Sequence, residues 1–369
     1  MADYMNESLA FHLLNRLPGC GAKTLRFLVG RFGTAQAAWE ATNKDWGAFN
    51  QPRLSVMAEH RQNLIPQQEI EILRMSQIHV LPFTDPAFPN HLAETPDAPA
   101  LLYVRGNFQS WNQQPLIAIV GSRKCTAYGK QVAREFARSL SQAGYIIVSG
   151  LAFGIDSIAH EATLDAGGET LAVLGSGIDD ASISPQSHLQ LAHTVIGHGA
   201  LISELAPNTN ANSGTFPARN RIMAGMCQGV VVVEATEESG SLITARLALD
   251  YNREVFAVPG SIFSPASVGT HALLKDGARL VTNIQDILSE LPHPLSAPHS
   301  ETPTDPAVLH LTPDESMIFA ALTHEGLHID NLTALVRLET MRVNMALTKL
   351  ELRGLAKNIG NMHYIKGKM

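Results

Sequence analysis

Between residues 115 and 290 one pattern repeats: a short, mostly apolar run, an amphipathic stretch, then another apolar run. The runs are Leu116–Val120, Tyr145–Ser149, Thr170–Leu174, Ala200–Ser203, Val230–Glu234, Val255–Val258 and Arg279–Thr282. Stretches such as Tyr128–Ala143, Asp156–Ala166 and Ser241–Asn252 lie between them. Runs this short, without polar alternation, predict strands buried on both faces. Strands that alternate with helices make βαβ units, so the predicted fold class is α/β, with a Rossmann-like parallel sheet as its core.

The flanks read differently. In residues 1–80, Leu9, Leu13, Leu14 and Leu17 recur at helical spacing, Pro18-Gly19-Cys20-Gly21 interrupts, and Ala22–Arg31 resumes the pattern. A small helical domain is expected there, SAM-like or helix-hairpin-helix-like. In a helix-hairpin-helix the turn amides hold a phosphate, whereas a plain αα-hairpin only packs, and the residues leave both open. Five prolines between Pro82 and Pro99 predict an extended connection, 81–114, into the core. Residues 291–312 are proline-rich and aperiodic, as a linker would be. From 313 to 369, Ser316–Leu322, Ile329–Val336 and Glu339–Arg353 read as helices and Asn361–Lys366 as a strand, the outline of a winged-helix domain.

Composition closes off other classes. Cys20, Cys125 and Cys227 are far apart and form no CxxC pair, which argues for a reducing compartment rather than a disulfide scaffold. MADYMNESLA lacks a basic segment followed by an apolar run, and no apolar stretch approaches membrane-spanning length. A cytoplasmic protein without membrane contact is expected. A net charge of −7 excludes a polycation that captures nucleic acid by bulk charge, though not a local basic site.

Four turns fall where strands of the expected sheet end and helices begin, the edge at which open parallel sheets bind ligands. The first is Gly121-Ser122-Arg123 with Thr126, offering close backbone approach, a hydroxyl and a guanidinium fork for phosphate. The second runs from Ser149 to Asp156, with Gly150 and Gly154, an aromatic Phe153 able to stack on a base, and Asp156 at the expected N-cap. The third is Phe216-Pro217-Ala218-Arg219-Asn220-Arg221, two arginines flanking an asparagine at a helix start. The fourth is Glu238-Ser239-Gly240-Ser241-Leu242-Ile243-Thr244, in which Ser-Gly-Ser again opens a helix. Together they indicate an extended, phosphate-rich ligand.

Catalytic and cofactor signatures are missing. The sequence has no GxGxxG fingerprint, GxSxG elbow or GxxxxGK[ST] loop, His160-Glu161 is not followed by a second zinc-binding histidine, and the histidines lack ligand spacing. The expectation is a binding protein rather than an enzyme, with neither cofactor nor metal.

GSRKCTAYG, SGLAFGIDSIAHEAT, FPARNRIMAG and EESGSLITARLA, followed by EVFAVPG and GTHALLKDGARLV, closely resemble the DNA-processing protein A (DprA/Smf) family over residues 80–290. The resemblance implies a protein of natural transformation (competence) that binds incoming single-stranded DNA, protects it and loads RecA recombinase onto it. Residues 115–290 would then be the DNA-binding domain. The family's phosphate pocket maps onto Gly121, Ser122 and Arg123, onto Phe216, Arg219, Asn220 and Arg221, and onto Ser239, Gly240 and Ser241. Family dimers imply a homodimer interface at His271, Leu274 and Leu280. Two departures stand out: Ile183-Ser184-Pro185 where relatives often have Tyr-Pro, and a lysine-free loop, Pro207–Thr215.

Two other readings remain at this level: a nucleotide-processing enzyme of the phosphoribohydrolase kind, although PGGxGT is missing, and a winged-helix regulator of duplex DNA. Residues 115–290 hold eleven basic against sixteen acidic residues, so any affinity for DNA must come from a few convergent groups. From Thr340 onward six basic residues face only Glu351, marking the winged helix as an auxiliary contact.

Overall fold

The computed structural model of the chain describes residues 5–291, 311–323, 326–360 and 362–366. Most of the proline-rich linker expected over 291–312 lies outside them. The chain divides into two compact units, 1–297 and 298–369.

The first unit begins with six short helices: α1 (Glu7–Asn15), α2 (Ala22–Phe32), α3 (Ala35–Glu40), α4 (Asn43–Gly47), α5 (Pro52–His60) and α6 (Pro66–Met75). Local chemistry sets their ends. Asn6 caps α1 by accepting from Leu9 N at 2.8 Å, Thr34 caps α3, a Thr42/Asp45 capping box opens α4, and proline starts α5 and α6.

Nine strands then form one sheet among the described residues: β1 (His79–Pro82), β2 (Leu101–Gly106), β3 (Leu116–Val120), β4 (Ile146–Ser149), β5 (Thr170–Val173), β6 (Gly199–Ser203), β7 (Gly229–Val232), β8 (Glu254–Ala257) and β9 (Arg279–Leu280). Their spatial order is β1-β2-β6-β5-β4-β3-β7-β8-β9. From β6 to β9 every pairing is parallel, whereas β1–β2 and β2–β6 are antiparallel. The connection expected over 81–114 thus contains β2 and the end of β1. Between them lies α7 (Asn90–Ala93), and α8 (Ala127–Gln142), α9 (Ile155–Asp165), α10 (Leu189–His198), α11 (Thr215–Met226), α12 (Ser241–Asp250), α13 (Val268–Lys275) and α14 (Ile284–Leu288) follow.

Both faces of the sheet are covered, as its apolar runs require. Along β3, Leu116, Ala118 and Val120 join the cluster containing Ile222, Met223 and Leu242 of α11 and α12. Ile117 and Ile119 point the other way, toward Phe136, Ala159 and Ile287 of α8, α9 and α14. Nearer β2, Leu101, Tyr103, Ala172 and Leu201 share a core with Phe11, Leu14, Leu28 and Trp46 of the N-terminal helices. That shared core places the helices and the sheet in one unit.

A buried polar knot crosses the same junction. His12 Nδ1 accepts from the Tyr103 hydroxyl and His12 Nε2 donates to Glu69, each at 2.9 Å, while Asn15 Nδ2 donates to the Tyr103 oxygen at 3.1 Å. Chiefly the His12 hydrogen bond, with help from Arg16, holds the Glu69 carboxyl below its ordinary range against the opposing effect of burial. The knot links α1, α6 and β2, segments 57 and 91 residues apart.

The second unit contains α15 (Pro313–Ala321), α16 (Ile329–Val336) and α17 (Thr340–Leu352) with a sheet of β10 (Leu327–His328), β11 (Ala356–Gly360) and β12 (His363–Lys366). Strand order β10-β12-β11 and a core of Ile318, Leu332, Val343, Leu347 and Leu350 make it a winged helix. The expected last strand is β12. Its partners β10 and β11 are too short or too polar to read from sequence.

His12→Ala should lower unfolding free energy by about 1–3 kcal/mol, because part of the hydrogen bonding at buried Glu69 and Tyr103 disappears. Urea titration of the intact chain measures this.

Candidate functional site

The chain adds β4, β5 and β6 on one side of β3 and then returns to place β7 on the other. Strand order reverses at β3, which opens a crevice at the carboxyl ends of β3 and β7. A cavity of about 470 Å³ occupies this position.

Its first wall is the turn after β3. A Cβ on Gly121 would lie 2.7 Å from Ile155 Cγ1 and 2.9 Å from the Glu234 carbonyl, so only glycine allows this approach. Ser122 N donates to that carbonyl at 2.7 Å, and Ser122 Oγ accepts from Lys124 N at 3.1 Å. Arg123 is exposed, with its guanidinium carbon 5.1 Å from the centroid of the Phe216 ring. That cation–π contact aims the charge across the cavity mouth.

The floor comes from α9 and α11. Arg219 is 7% exposed and its Nη1 donates to the Val173 carbonyl. Its buried Nε has no acceptor among the described residues. Burial lowers the pKa of this guanidinium and Arg123 adds to that, while Asp156 opposes both. Asp156, 6% exposed, lines the same cavity and accepts from Gly150 N at 3.1 Å. It is therefore not the cap expected from sequence: Gly154 takes the N-cap position, its φ of 80° being suited to glycine, and Asp156 turns inward. Burial raises the Asp156 pKa, against the pull of Arg219 and of backbone amides.

The last wall is the turn before α12. Asn220 Nδ2 donates to the Gly240 carbonyl at 3.2 Å and ties α11 to this turn, while Ser239 Oγ and Ser241 Oγ lie 2.7 Å apart. Gly240 takes the N-cap position of α12 without a side-chain hydrogen bond, and the amides of Leu242 and Ile243 already donate to the carbonyls of Ser239 and Gly240, at 3.0 and 3.2 Å.

Nine residues singled out from sequence thus line one cavity: Gly121, Ser122, Arg123, Phe216, Arg219, Asn220, Ser239, Gly240 and Ser241. Thr126, Gly150, Phe153 and Arg221 are not among its lining residues. Thr126 caps α8 and binds Glu234, its N at 2.9 Å and Oγ1 at 2.5 Å from the carboxylate. Gly150 stands behind Arg219, and a Cβ there would collide with the guanidinium. Phe153 is exposed and packs edge-on against His188, with ring centroids 4.8 Å apart. Arg221 points away, paired with Glu204 and donating to the Asp97 carbonyl at 2.5 Å. Helical spacing held the signal for this, since Arg219 and Arg221, two positions apart on α11, diverge by about 200°. Lys124, next to the first turn, lines the cavity unselected by sequence reasoning, and Glu238, the first residue of the fourth turn, lines it without having been assigned a role.

At the proposed dimer positions, Leu280 is 55% exposed on β9, an edge strand. Leu274 is half-buried, and His271 Nε2 donates to the Gly260 carbonyl at 3.1 Å. In the winged-helix unit, Arg342 is paired with Asp314, and Lys349 and Arg353 with the buried Glu315, so much of its basic surplus is neutralised internally.

Residues 79–292 match the family of DNA recombination-mediator protein A, and residues 302–359 match the DprA winged helix domain. The Bacillus subtilis DNA processing protein DprA is 42% identical over 59% of this chain and 73% of its own length. The Synechocystis protein Smf is 31% identical over 97% of this chain and 99% of its own. The Streptococcus pneumoniae DprA structure superposes with a TM-score of 0.69 at 32% identity, covering 78% of this chain and 99% of that one. A Helicobacter pylori DprA, described for its single-stranded DNA binding mode, gives 0.53 at 31% identity, covering 58% of this chain and 95% of that one.

Gly150→Ala should cost about 1–3 kcal/mol by forcing the buried Arg219 guanidinium aside. Gly197→Ala, on the open face of α10 where a Cβ meets nothing within 4 Å, should instead gain about 0.5–1 kcal/mol. Thermal or urea unfolding of both variants measures the difference.

Proposed function

The chain belongs to the DNA recombination-mediator protein A (DprA/Smf) family, and from that premise we propose that it binds single-stranded DNA through the cavity at the β3–β7 crevice and acts as a mediator without catalysing a reaction. The observation that carries this reading is the convergence of Arg123, Lys124 and Arg219 on one cavity, beside the hydroxyls of Ser122, Ser239 and Ser241. Guanidinium forks, an ammonium and hydroxyls are what a phosphodiester backbone calls for, and contacts to phosphate carry no sequence information. Phe216, held under the Arg123 guanidinium, offers a stacking face beside the phosphates.

The surroundings sharpen the mechanism. The unit's acidic surplus, with Glu238 and Asp156 in the cavity wall, repels DNA everywhere except where these cations converge. Capture is therefore local, with few phosphates neutralised and a modest dependence on salt. Dimerisation through the β9 edge, at His271, Leu274 and Leu280, would set two cavities on one strand and raise avidity through effective concentration. In a bacterial cytoplasm during natural transformation, such a dimer would cover incoming single strands and hand them to RecA.

Arg123→Ala and Arg219→Ala should each weaken oligodeoxythymidylate binding about ten-fold or more, and lower the slope of log affinity against log salt by about 0.7 for each phosphate no longer neutralised. Arg221→Ala should leave that slope unchanged, since its charge is spent on Glu204. Fluorescence anisotropy across a salt series checks all three, and unaltered affinity in both cavity variants would refute the site. Stimulated RecA filament assembly on DNA coated with single-strand-binding protein is the result expected of a mediator.

A further inference from the structure

Beneath the cavity floor lies a group of buried titratable side chains that a purely electrostatic phosphate pocket does not need. Asp156 and His160 come from successive turns of α9, Arg219 comes from α11, and His188 precedes α10. His160 is fully buried. Thr170 Oγ1 donates to the Ile147 carbonyl at 2.8 Å, so it accepts from His160 Nδ1, 2.7 Å away. That leaves His160 Nε2 as a bare acceptor with no donor among the described residues. Burial, Arg219 and His188 push the His160 pKa down to about 3, so the ring is neutral and supplies no charge. Of the groups around Arg219 that carry or shift charge, Arg123 repels it and Asp156 alone offsets it. Lys124 and Glu238 line the same cavity as Asp156.

An ionised carboxylate buried in the lining of an anion site repels the anion, and the anion in turn disfavours its ionised form. We propose that Asp156, a buried carboxylate in the lining of the cavity that also holds Arg219, takes up a proton from solvent when a DNA phosphate enters. The inference rests on the cavity being the phosphate site.

The sign follows from linkage. A phosphate beside Asp156 disfavours its charged form, so its pKa in the bound state exceeds that of the free state, which burial has already raised. Binding then takes up a proton. Affinity climbs as pH falls from the bound-state value toward the free-state value and is flat below it. One proton limits the gain to about ten-fold per pH unit. Asp156→Asn keeps an oxygen for Gly150 N but cannot titrate. Its affinity should be level across that window and at least equal to that of the unaltered chain at the alkaline end.

The test is titration calorimetry of the full chain with oligodeoxythymidylate, in buffers of different ionisation enthalpy, between about pH 5 and pH 8. Proton uptake by the unaltered chain, abolished in Asp156→Asn, is the expected result. No uptake by the unaltered chain overturns the proposal, even if the variant fails to fold, and so does uptake that persists in a folded Asp156→Asn. Inorganic sulfate, which does not itself titrate in this range, serves as a second probe. If the oligonucleotide does not bind, the functional reading fails, and sulfate-linked proton uptake still decides the role of Asp156.

Discussion

Glu234, just past the end of β7, makes two connections that the site depends on. Its backbone carbonyl accepts from Ser122 N, and its carboxylate accepts from both the backbone and the hydroxyl of Thr126. The turn after β3 is thereby tied across the switch point to β7, and its glycines pack so closely that Gly121 and Gly129 admit no side chain. With that turn held, Arg123 has a fixed base from which to reach Phe216, and the two halves of the sheet meet along one crevice. Glu234 is not among the residues lining the cavity, yet the wall would have no defined position without it.

The same economy governs the cations. Arg123 is exposed and adaptable, Arg219 is buried with one donor satisfied and another idle, and Arg221 is consumed by Glu204. Three arginines that look equivalent in sequence therefore have three different roles, set by burial and by which carboxylates lie nearby. A buried guanidinium is tolerated only with compensation. Asp156, in the same cavity lining, favours the Arg219 charge, while burial and Arg123 disfavour it.

The sheet was legible because burial on both faces forces continuous apolar runs, and each of the seven expected runs coincides with a strand to within two residues. Helices α8, α9 and α12 were legible from their amphipathic stretches to within a residue or two. β1 and β2 were obscured by prolines, which mark turns and edges more often than paired strands. β10 and β11 were missed because strands so short or so polar carry little periodic signal. In the site, nine selected residues line one cavity because they lie in turns at the carboxyl ends of strands, which the parallel sheet brings to one edge.

By itself the sequence determined the α/β class, the winged helix and the edge of the sheet that carries function, because local periodicity and turn chemistry act over a few residues. Only the tertiary structure decided which charges remain available. It turned Asp156 from a cap into a cavity carboxylate, sent Arg221 to Glu204, brought Lys124 and Glu238 into the lining and paired much of the basic surplus of the winged helix. Whether an ionisable group is free, paired or buried depends on partners distant in the chain, and electrostatic partners leave no local periodicity to read.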